Sequence, residues 1–536
     1  MKKVISILLV SLMLLSCISV VSFAGGKAYE QPFAPGTQDC ENFRIPSIIT
    51  LNDGSVLAAA DLRYGHGSDS PGNLDTLIAK SADGYTGWEY SMPNYFDDYA
   101  HGFGEYGDNS ASFIDPAMVQ DSKGTIYLIV DAFPSGGGAW VCSEGTGYVK
   151  YQGKDRLALT DSHDNMKNID EFEYVLGDFN IDLGDPATKY APIISRRTGK
   201  TVKGYLVNEE FNICADNGVQ LRMDQVGNDE ELAAVQNIFY DGADFCVQRV
   251  MHLWLRTSTN GGKDWSHPTI ITAQVKGEDE NFFGAAPGKG FVTTLADGTE
   301  RIIFCVYDNT ATNIAGMEQA STIYSDDGGK TWQRGERLLH NHSMHKTSES
   351  QIVKIGEQED GTDILRMYSR NRSNLIGYAD SYDGGVTWTV STPDKALDCT
   401  ADCMVSFINY NKQINGKDVL IASYASSPDG RADGVVRVGL IEADKSVTWG
   451  PVYHLNQGFF AYSCLTVLPD GNVGILGEHK ASEIVYTVLA IDSNGNISEV
   501  NGSNADYNAP SRTFIQKIGD FFRNLIKILR SWFGVY

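Results

Sequence analysis

Ser325-Asp326-Asp327-Gly328-Gly329-Lys330-Thr331-Trp332 is the stretch on which the reading of the fold turns. It follows the short alternating run Ser321-Thr322-Ile323-Tyr324 and precedes a new strand, so it reads as the turn of a β-hairpin. The serine and aspartate side chains can bond turn amides, glycine supplies positive φ, and tryptophan packs beneath. The pattern recurs as Ser258-Thr259-Asn260-Gly261-Gly262-Lys263-Asp264-Trp265 and as Ser381-Tyr382-Asp383-Gly384-Gly385-Val386-Thr387-Trp388, with a degenerate copy at Ser81-Ala82-Asp83-Gly84-Tyr85-Thr86-Gly87-Trp88. The later three begin 67 and 56 residues apart, which suits one four-stranded unit each. From Ser81 to Ser258 the gap is far larger and must hold a unit plus an insertion. Residues 144–236 have few such turns but many charged and strand-like residues, and are expected to form a small inserted β-domain.

These turns resemble the Asp boxes of β-propellers. The resemblance implies an all-β chain, a six-bladed β-propeller over residues 25–500 interrupted by the small β-domain. Asp boxes occur in several unrelated activities, so they speak to fold and not to chemistry.

Outside the propeller the two ends differ in kind. Lys2 and Lys3, an apolar run from Val4 to Val21, and Ser22-Phe23-Ala24 have the layout of a secretory signal cut after Ala24, which predicts export to the medium or the cell surface. Leu14-Leu15-Ser16-Cys17 offers a lipoprotein site as a rival, but further apolar residues follow Cys17. Residues 501–512 read as a polar linker. Beyond it, residues 513–536 place Ile515, Ile518, Phe522, Leu525, Leu529, Trp532 and Phe533 at helical spacing, with Lys517, Arg523, Lys527 and Arg530 elsewhere. That amphipathic C-terminal helix suits peripheral contact with a membrane surface, the alternative being docking on the propeller.

The formal net charge of −25 disfavours nucleic acid as a partner and requires that any acidic substrate be met by locally placed arginines. Nine cysteines in 536 residues are too dilute for a disulfide scaffold, although Cys399 and Cys403 are close enough to pair. No residues have zinc-ligand spacing.

Five landmarks carry a further resemblance: Phe43-Arg44-Ile45-Pro46-Ser47 with an Ala-rich strand ending in Arg63, then Ser348-Glu349-Ser350-Gln351, Tyr368-Ser369-Arg370-Asn371, Arg431-Ala432-Asp433-Gly434 and Ala461-Tyr462-Ser463-Cys464-Leu465. In this order, with Asp boxes between them, they are similar to the bacterial exo-sialidase (neuraminidase) family, over nearly the whole chain up to about Ser498. Sialic acid bears a carboxylate on its anomeric carbon, and planar anions are held by arginine forks. The resemblance assigns that clamp to Arg44, Arg370 and Arg431, with Arg437 in reserve. A carboxylate nucleophile would meet a like charge, and the resemblance implies a tyrosine instead, Tyr462, with Glu349 as the base that takes its proton. Asp69, in Gly65-His66-Gly67-Ser68-Asp69-Ser70-Pro71-Gly72, falls on the general acid, with Asp75 and Asp61 as nearby rivals. Arg63 and Asp115 are implied beside the sugar's 4-hydroxyl, and a structural salt bridge explains either nearly as well.

The implied activity is that of a retaining exo-α-sialidase acting on sialylated glycoconjugates (glycoproteins, gangliosides, oligosaccharides) through a tyrosyl-enzyme intermediate, with neither cofactor nor metal. A trans-sialidase, intramolecular with 2,7-anhydro-sialic acid as product or transferring to an acceptor, would use the same residues. A sialic-acid lectin on a dead propeller would be expected to lack Tyr462, Glu349 or Asp69.

Overall fold

Val56–Arg63 and Ile126–Phe133 are buried at every position. A strand hidden on both faces needs a packed layer on each side, and a ring of sheets stacked face to face provides one. The computed structural model describes residues 28–500 apart from 97–108, 163–167, 224–233, 310–317, 340–346, 372–374, 398–401 and 428. The expected signal, linker and C-terminal helix lie outside the described residues, as does Cys399.

Six sheets form the blades, antiparallel except where Gly288–Lys289 adds a short parallel strand beside Ser112–Gln120. Blade 1 comprises Asn42–Thr50, Val56–Arg63, Leu74–Ser81 and Glu89–Asn94, and blade 2 comprises Ser112–Gln120, Ile126–Phe133, His252–Ser258 and Thr269–Ile270. Blade 3 is built on Glu300–Asp308 and Gln319–Ser325, blade 4 on Ser350–Glu357, Asp363–Ser369 and Gly377–Ser381. Blade 5 is built on Ser406–Ile414, Lys417–Ala425 and Ala432–Ile441, and blade 6 on Ser463–Val467, Val473–Lys480 and Glu483–Ile491. First and last blades close the ring through side chains: Thr50 Oγ1 lies 3.0 Å from Thr466 Oγ1, and the Tyr486 hydroxyl donates to Gly84 O at 2.8 Å beside the Trp88 ring.

All four Asp boxes join the third and fourth strands of blades 1 to 4. The chemistry of the turn is that expected. Ser325 Oγ accepts from Gly329 N at 2.8 Å, and Asp327 Oδ1 accepts from the amides of Lys330 and Thr331 at 3.0 and 2.9 Å. Led by the Thr331 amide, these donors stabilise the charged form and pull the Asp327 carboxyl down to about 2. Trp332 is buried against Phe304. At φ +80°, Gly329 is in the left-handed region, and a Cβ there would lie 2.6 Å from the Tyr127 ring. Gly329→Ala is therefore expected to cost about 2–3 kcal/mol, from backbone strain and overpacking together. A urea midpoint equal to that of the native chain at unchanged slope would contradict this.

Between the second and third strands of blade 2 the chain builds a separate sheet, Tyr148–Tyr151, Lys154–Thr160, Tyr174–Leu176, Tyr190–Ser195, Thr201–Asn208, Ile213–Cys214 and Cys246–Val247. Its last strand falls beyond residue 236, the boundary read from the sequence. Cys246–Val247 is too short for an alternating pattern to show, yet it pairs with Thr160 and Leu159 and brings the chain back to blade 2.

At the ends of two inner strands the ladder is broken by bulges, between Arg44 and Ser47 in blade 1 and between Ile114 and Ala117 in blade 2. Each contains a non-glycine residue with positive φ followed by proline, Ile45 (+55°) before Pro46 and Asp115 (+64°) before Pro116. A bulge twists the strand end and re-aims its side chains. Here it frees Arg44 and Asp115 from the alternation of their strands.

Candidate active site

Strand direction brings the landmark residues together. Glu349 and Tyr462 immediately precede the first strands of blades 4 and 6, and Arg44 and Asp115 lie near the starts of the first strands of blades 1 and 2. Arg370 follows the second strand of blade 4, Arg431 precedes the third of blade 5, and Asp69 is in the loop between the second and third of blade 1. Since neighbouring strands are antiparallel, all seven emerge at one end of the ring. They surround a cavity of about 220 Å³ lined by, among others, Asp69, Asp115, Glu349, Arg370, Arg431 and Tyr462.

Tyr462 is at its centre. Its hydroxyl donates to Glu349 Oε1 at 2.5 Å and accepts from Arg370 Nη1 at 3.1 Å, and the same Nη1 donates to Glu349 Oε2 at 2.6 Å. Reciprocal backbone bonds hold the pair in register, Arg370 N to Glu349 O at 3.0 Å and Ser348 N to Arg370 O at 3.2 Å. Burial, and then the negative charge of Glu349, keep the phenol well above its ordinary range against the pull of Arg370 and Arg431. The resting tyrosine thus keeps its proton and donates it in a hydrogen bond to Glu349.

Around the ring stand the other two arginines, with the guanidinium carbons of Arg44 and Arg431 5.5 and 5.3 Å from its centroid. Arg44 is held bidentately by Glu478, Nε to Oε1 at 3.1 Å and Nη2 to Oε2 at 3.2 Å, and Glu478 also accepts from Ile45 N at 2.9 Å. Among the described residues Arg431 has no carboxylate in salt-bridge range. Three guanidinium groups thus converge where an anion can be bound in an otherwise acidic protein.

Asp69 faces this cluster from its loop. Arg63 Nη1 donates to Asp69 Oδ1 at 2.6 Å, and Arg44 Nη1 to the same oxygen at 3.2 Å. Burial raises the Asp69 carboxyl, but the charges of Arg63 and Arg44 outweigh it and leave the group below the usual carboxylate range. Asp115 goes the other way: burial, then the neighbouring carboxylates Asp131, Asp61 and Glu349, hold it well above that range.

The structure separates the candidates. Asp75 is buried and accepts from Phe96 N at 3.0 Å, and Asp61 is buried against Arg63, so neither rival of Asp69 reaches the cavity. Arg437 donates to Gly450 O and Ala396 O at the side of blade 5, away from the clamp for which it was the reserve. Arg63 has the salt-bridge environment that the sequence left open beside the substrate role. It is fully buried and bound to Asp61, Gly67 O and Asp69, so it ties the Asp69 loop to the second strand of blade 1.

Three residues at or beside the cavity escaped the sequence. Glu478 had one signal, a lone charge at the end of the apolar run Val473-Gly474-Ile475-Leu476-Gly477. Asp402, which accepts from Arg370 Nε at 2.7 Å, is an acidic loop residue among many and had none. Trp140 lines the cavity but stands outside every recurring turn. Among the described residues no group of three or more His, Cys, Asp or Glu side chains is arranged to hold a metal ion. A second cleft, about 530 Å³ between the inserted sheet and Ser266–Ile270, contains none of the landmark residues.

The chain is similar to several known proteins. Residues 229–475 match the BNR repeat-like domain. The chain is 31% identical to the anhydrosialidase of Macrobdella decora over 83% of its own length and 59% of the relative's. It is 28% identical to sialidase B of Streptococcus pneumoniae serotype 4, over 81% and 61% of the two chains. It spans about three fifths of the length of these curated relatives. Among solved structures it is similar to the intramolecular trans-sialidase from Ruminococcus gnavus, with a TM-score of 0.73 and 28% identity over 89% of this chain and all of that one. The leech intramolecular trans-sialidase gives 0.72 and 28%, over 90% and 72%.

Proposed function

Because the chain belongs to the bacterial exo-sialidase family with Asp-box repeats, we propose that it is a retaining exo-α-sialidase that attacks terminal sialic acid with Tyr462. The observation that carries the reading is the Tyr462–Glu349–Arg370 constellation facing Asp69 across one cavity. Arg44, Arg370 and Arg431 take the substrate carboxylate, which puts the anomeric carbon near the Tyr462 oxygen. Glu349 accepts the phenolic proton as that oxygen bonds to the anomeric carbon, and Asp69 delivers a proton to the departing glycosidic oxygen. In the second half, deprotonated Asp69 takes a proton from the incoming nucleophile as the tyrosyl bond breaks and Glu349 returns the proton to the phenolate. Two inversions leave the configuration retained.

The nucleophile of that second half distinguishes two readings. Water gives free sialic acid, whereas the sugar's own 7-hydroxyl gives 2,7-anhydro-sialic acid. The second reading draws on the names of the relatives, an anhydrosialidase and two intramolecular trans-sialidases. The full chain incubated with a sialyl-lactose and followed by proton NMR is expected to release lactose. The α-anomer of free sialic acid appearing first supports hydrolysis, and the anhydro sugar as sole product replaces it with intramolecular transfer. If sialosides bind and no lactose appears, the enzyme reading fails and a lectin takes its place.

A further inference from the structure

Trp140 is 70% exposed, whereas Trp254, Trp332, Trp88 and Trp449 are buried. An indole left in water costs apolar surface that folding would otherwise hide, and one lining a polar cavity has a ligand-shaped explanation. The turn that carries it is tightly held. Ser135 N donates to Phe239 O at 2.9 Å, Arg249 Nε donates to Ser135 O at 2.9 Å, Cys142 N donates to Gly138 O at 3.0 Å, and Ser143 N donates to Arg249 O at 2.8 Å. The turn is also seated on the acid loop: a Cβ at Gly138 would lie 2.3 Å from Ser70 O, a separation only glycine allows. Trp140 is thus two residues from the point where its turn touches the residue after Asp69, and both line the same cavity.

From this juxtaposition we infer that Trp140 is the platform for the leaving group, and that the leaving group it selects is a neutral pyranose. The inference rests on the sialidase reading. A glycosidic oxygen within proton-transfer reach of Asp69 places the first residue of the aglycone on the Asp69 side of the cavity, where Trp140 stands. The face of an indole is electron-rich, and a pyranose offers it a patch of C–H bonds of the opposite polarity. Contact through that face needs neither charge nor a flexible side chain, so the rigid turn preorganises it.

The test compares two substrates of the full chain. A sialyl-lactose has a pyranose aglycone, and methyl α-sialoside has no ring to stack. Trp140→Ala is expected to lower kcat/KM for sialyl-lactose about 10-fold, mainly through KM, and to change that for the methyl glycoside less than 2-fold; Trp140→Phe should restore most of the loss. Equal losses on both substrates would mean that Trp140 merely shapes the acid loop, and no loss on either would mean that it touches nothing. A switch between free and anhydro product at unchanged KM would make it a gate for water. Each of these overturns the platform alone. Wild-type chain that cleaves neither substrate removes the sialidase reading and this inference with it.

Discussion

Tyr462→Phe is expected to lower kcat/KM for a sialoside by about 10³- to 10⁵-fold while the variant stays folded and still binds the free sugar acid. The substitution removes one oxygen. That oxygen is the donor to Glu349 Oε1 and the acceptor for Arg370 Nη1, so its loss unpairs a buried carboxylate oxygen at about 1–2 kcal/mol, small for a chain of this size. Arg44 and Arg370 keep their places because Glu478, Glu349 and the backbone hold them independently of the phenol. Binding should therefore survive and chemistry should not. Residual turnover would come from direct attack by water, a single displacement that inverts the anomeric centre, so the first anomer seen by NMR should change. Single-turnover release measured beside calorimetric binding checks both halves. More than a tenth of the wild-type rate would move the nucleophile elsewhere.

Legibility of the fold followed turn chemistry. Blades 1 to 4 announce themselves because each keeps a serine, an aspartate or asparagine and a glycine at the same hairpin. Blades 5 and 6 join the same two strands by a shorter turn. In blade 5, Asp444 accepts from Ser446 N and Lys445 takes the left-handed place at φ +69°. In blade 6, Asp492 accepts from the amides of Asn494 and Asn496 around Gly495. Neither turn has the serine at the head of the box, and the second also lacks the tryptophan, so the pattern does not appear there. In the cavity the same distinction holds between motif and contact. Tyr462, Glu349, Arg370 and Asp69 were found through the strings around them. Glu478 and Asp402 were not, because what makes each matter is a guanidinium that the fold brings to it from 434 and 32 residues away in sequence. Arg63 was named for its neighbourhood, and only the structure shows its ion pairs with Asp61 and Asp69.

Asp69→Ala should separate substrates by their leaving groups. With a sugar aglycone, whose alkoxide is a poor leaving group, loss of the general acid is expected to cost about 10²- to 10⁴-fold in kcat/KM; with an aryl glycoside whose phenolate leaves unaided, the first step should lose less than 10-fold. The pH dependence should identify the same proton. In the unliganded site Arg63 and Arg44 outweigh burial and hold the Asp69 carboxyl below its ordinary range, so the acid form is scarce at neutral pH. On the proposed reading, binding would deliver a second carboxylate to Arg44, which would dilute its hold on Asp69 and bring a negative charge close to it. Both changes would raise the Asp69 pKa, so that substrate binding would itself arm the proposed acid. Because kcat/KM reports the free enzyme and kcat the complex, the basic limb of kcat is expected at higher pH than that of kcat/KM. In Asp69→Ala that displacement should vanish along with the limb itself. Superimposed limbs in the wild type would mean that Asp69 does not respond to the substrate carboxylate, and that the pairing of Arg44 with Asp69 at 3.2 Å has no part in the catalytic cycle.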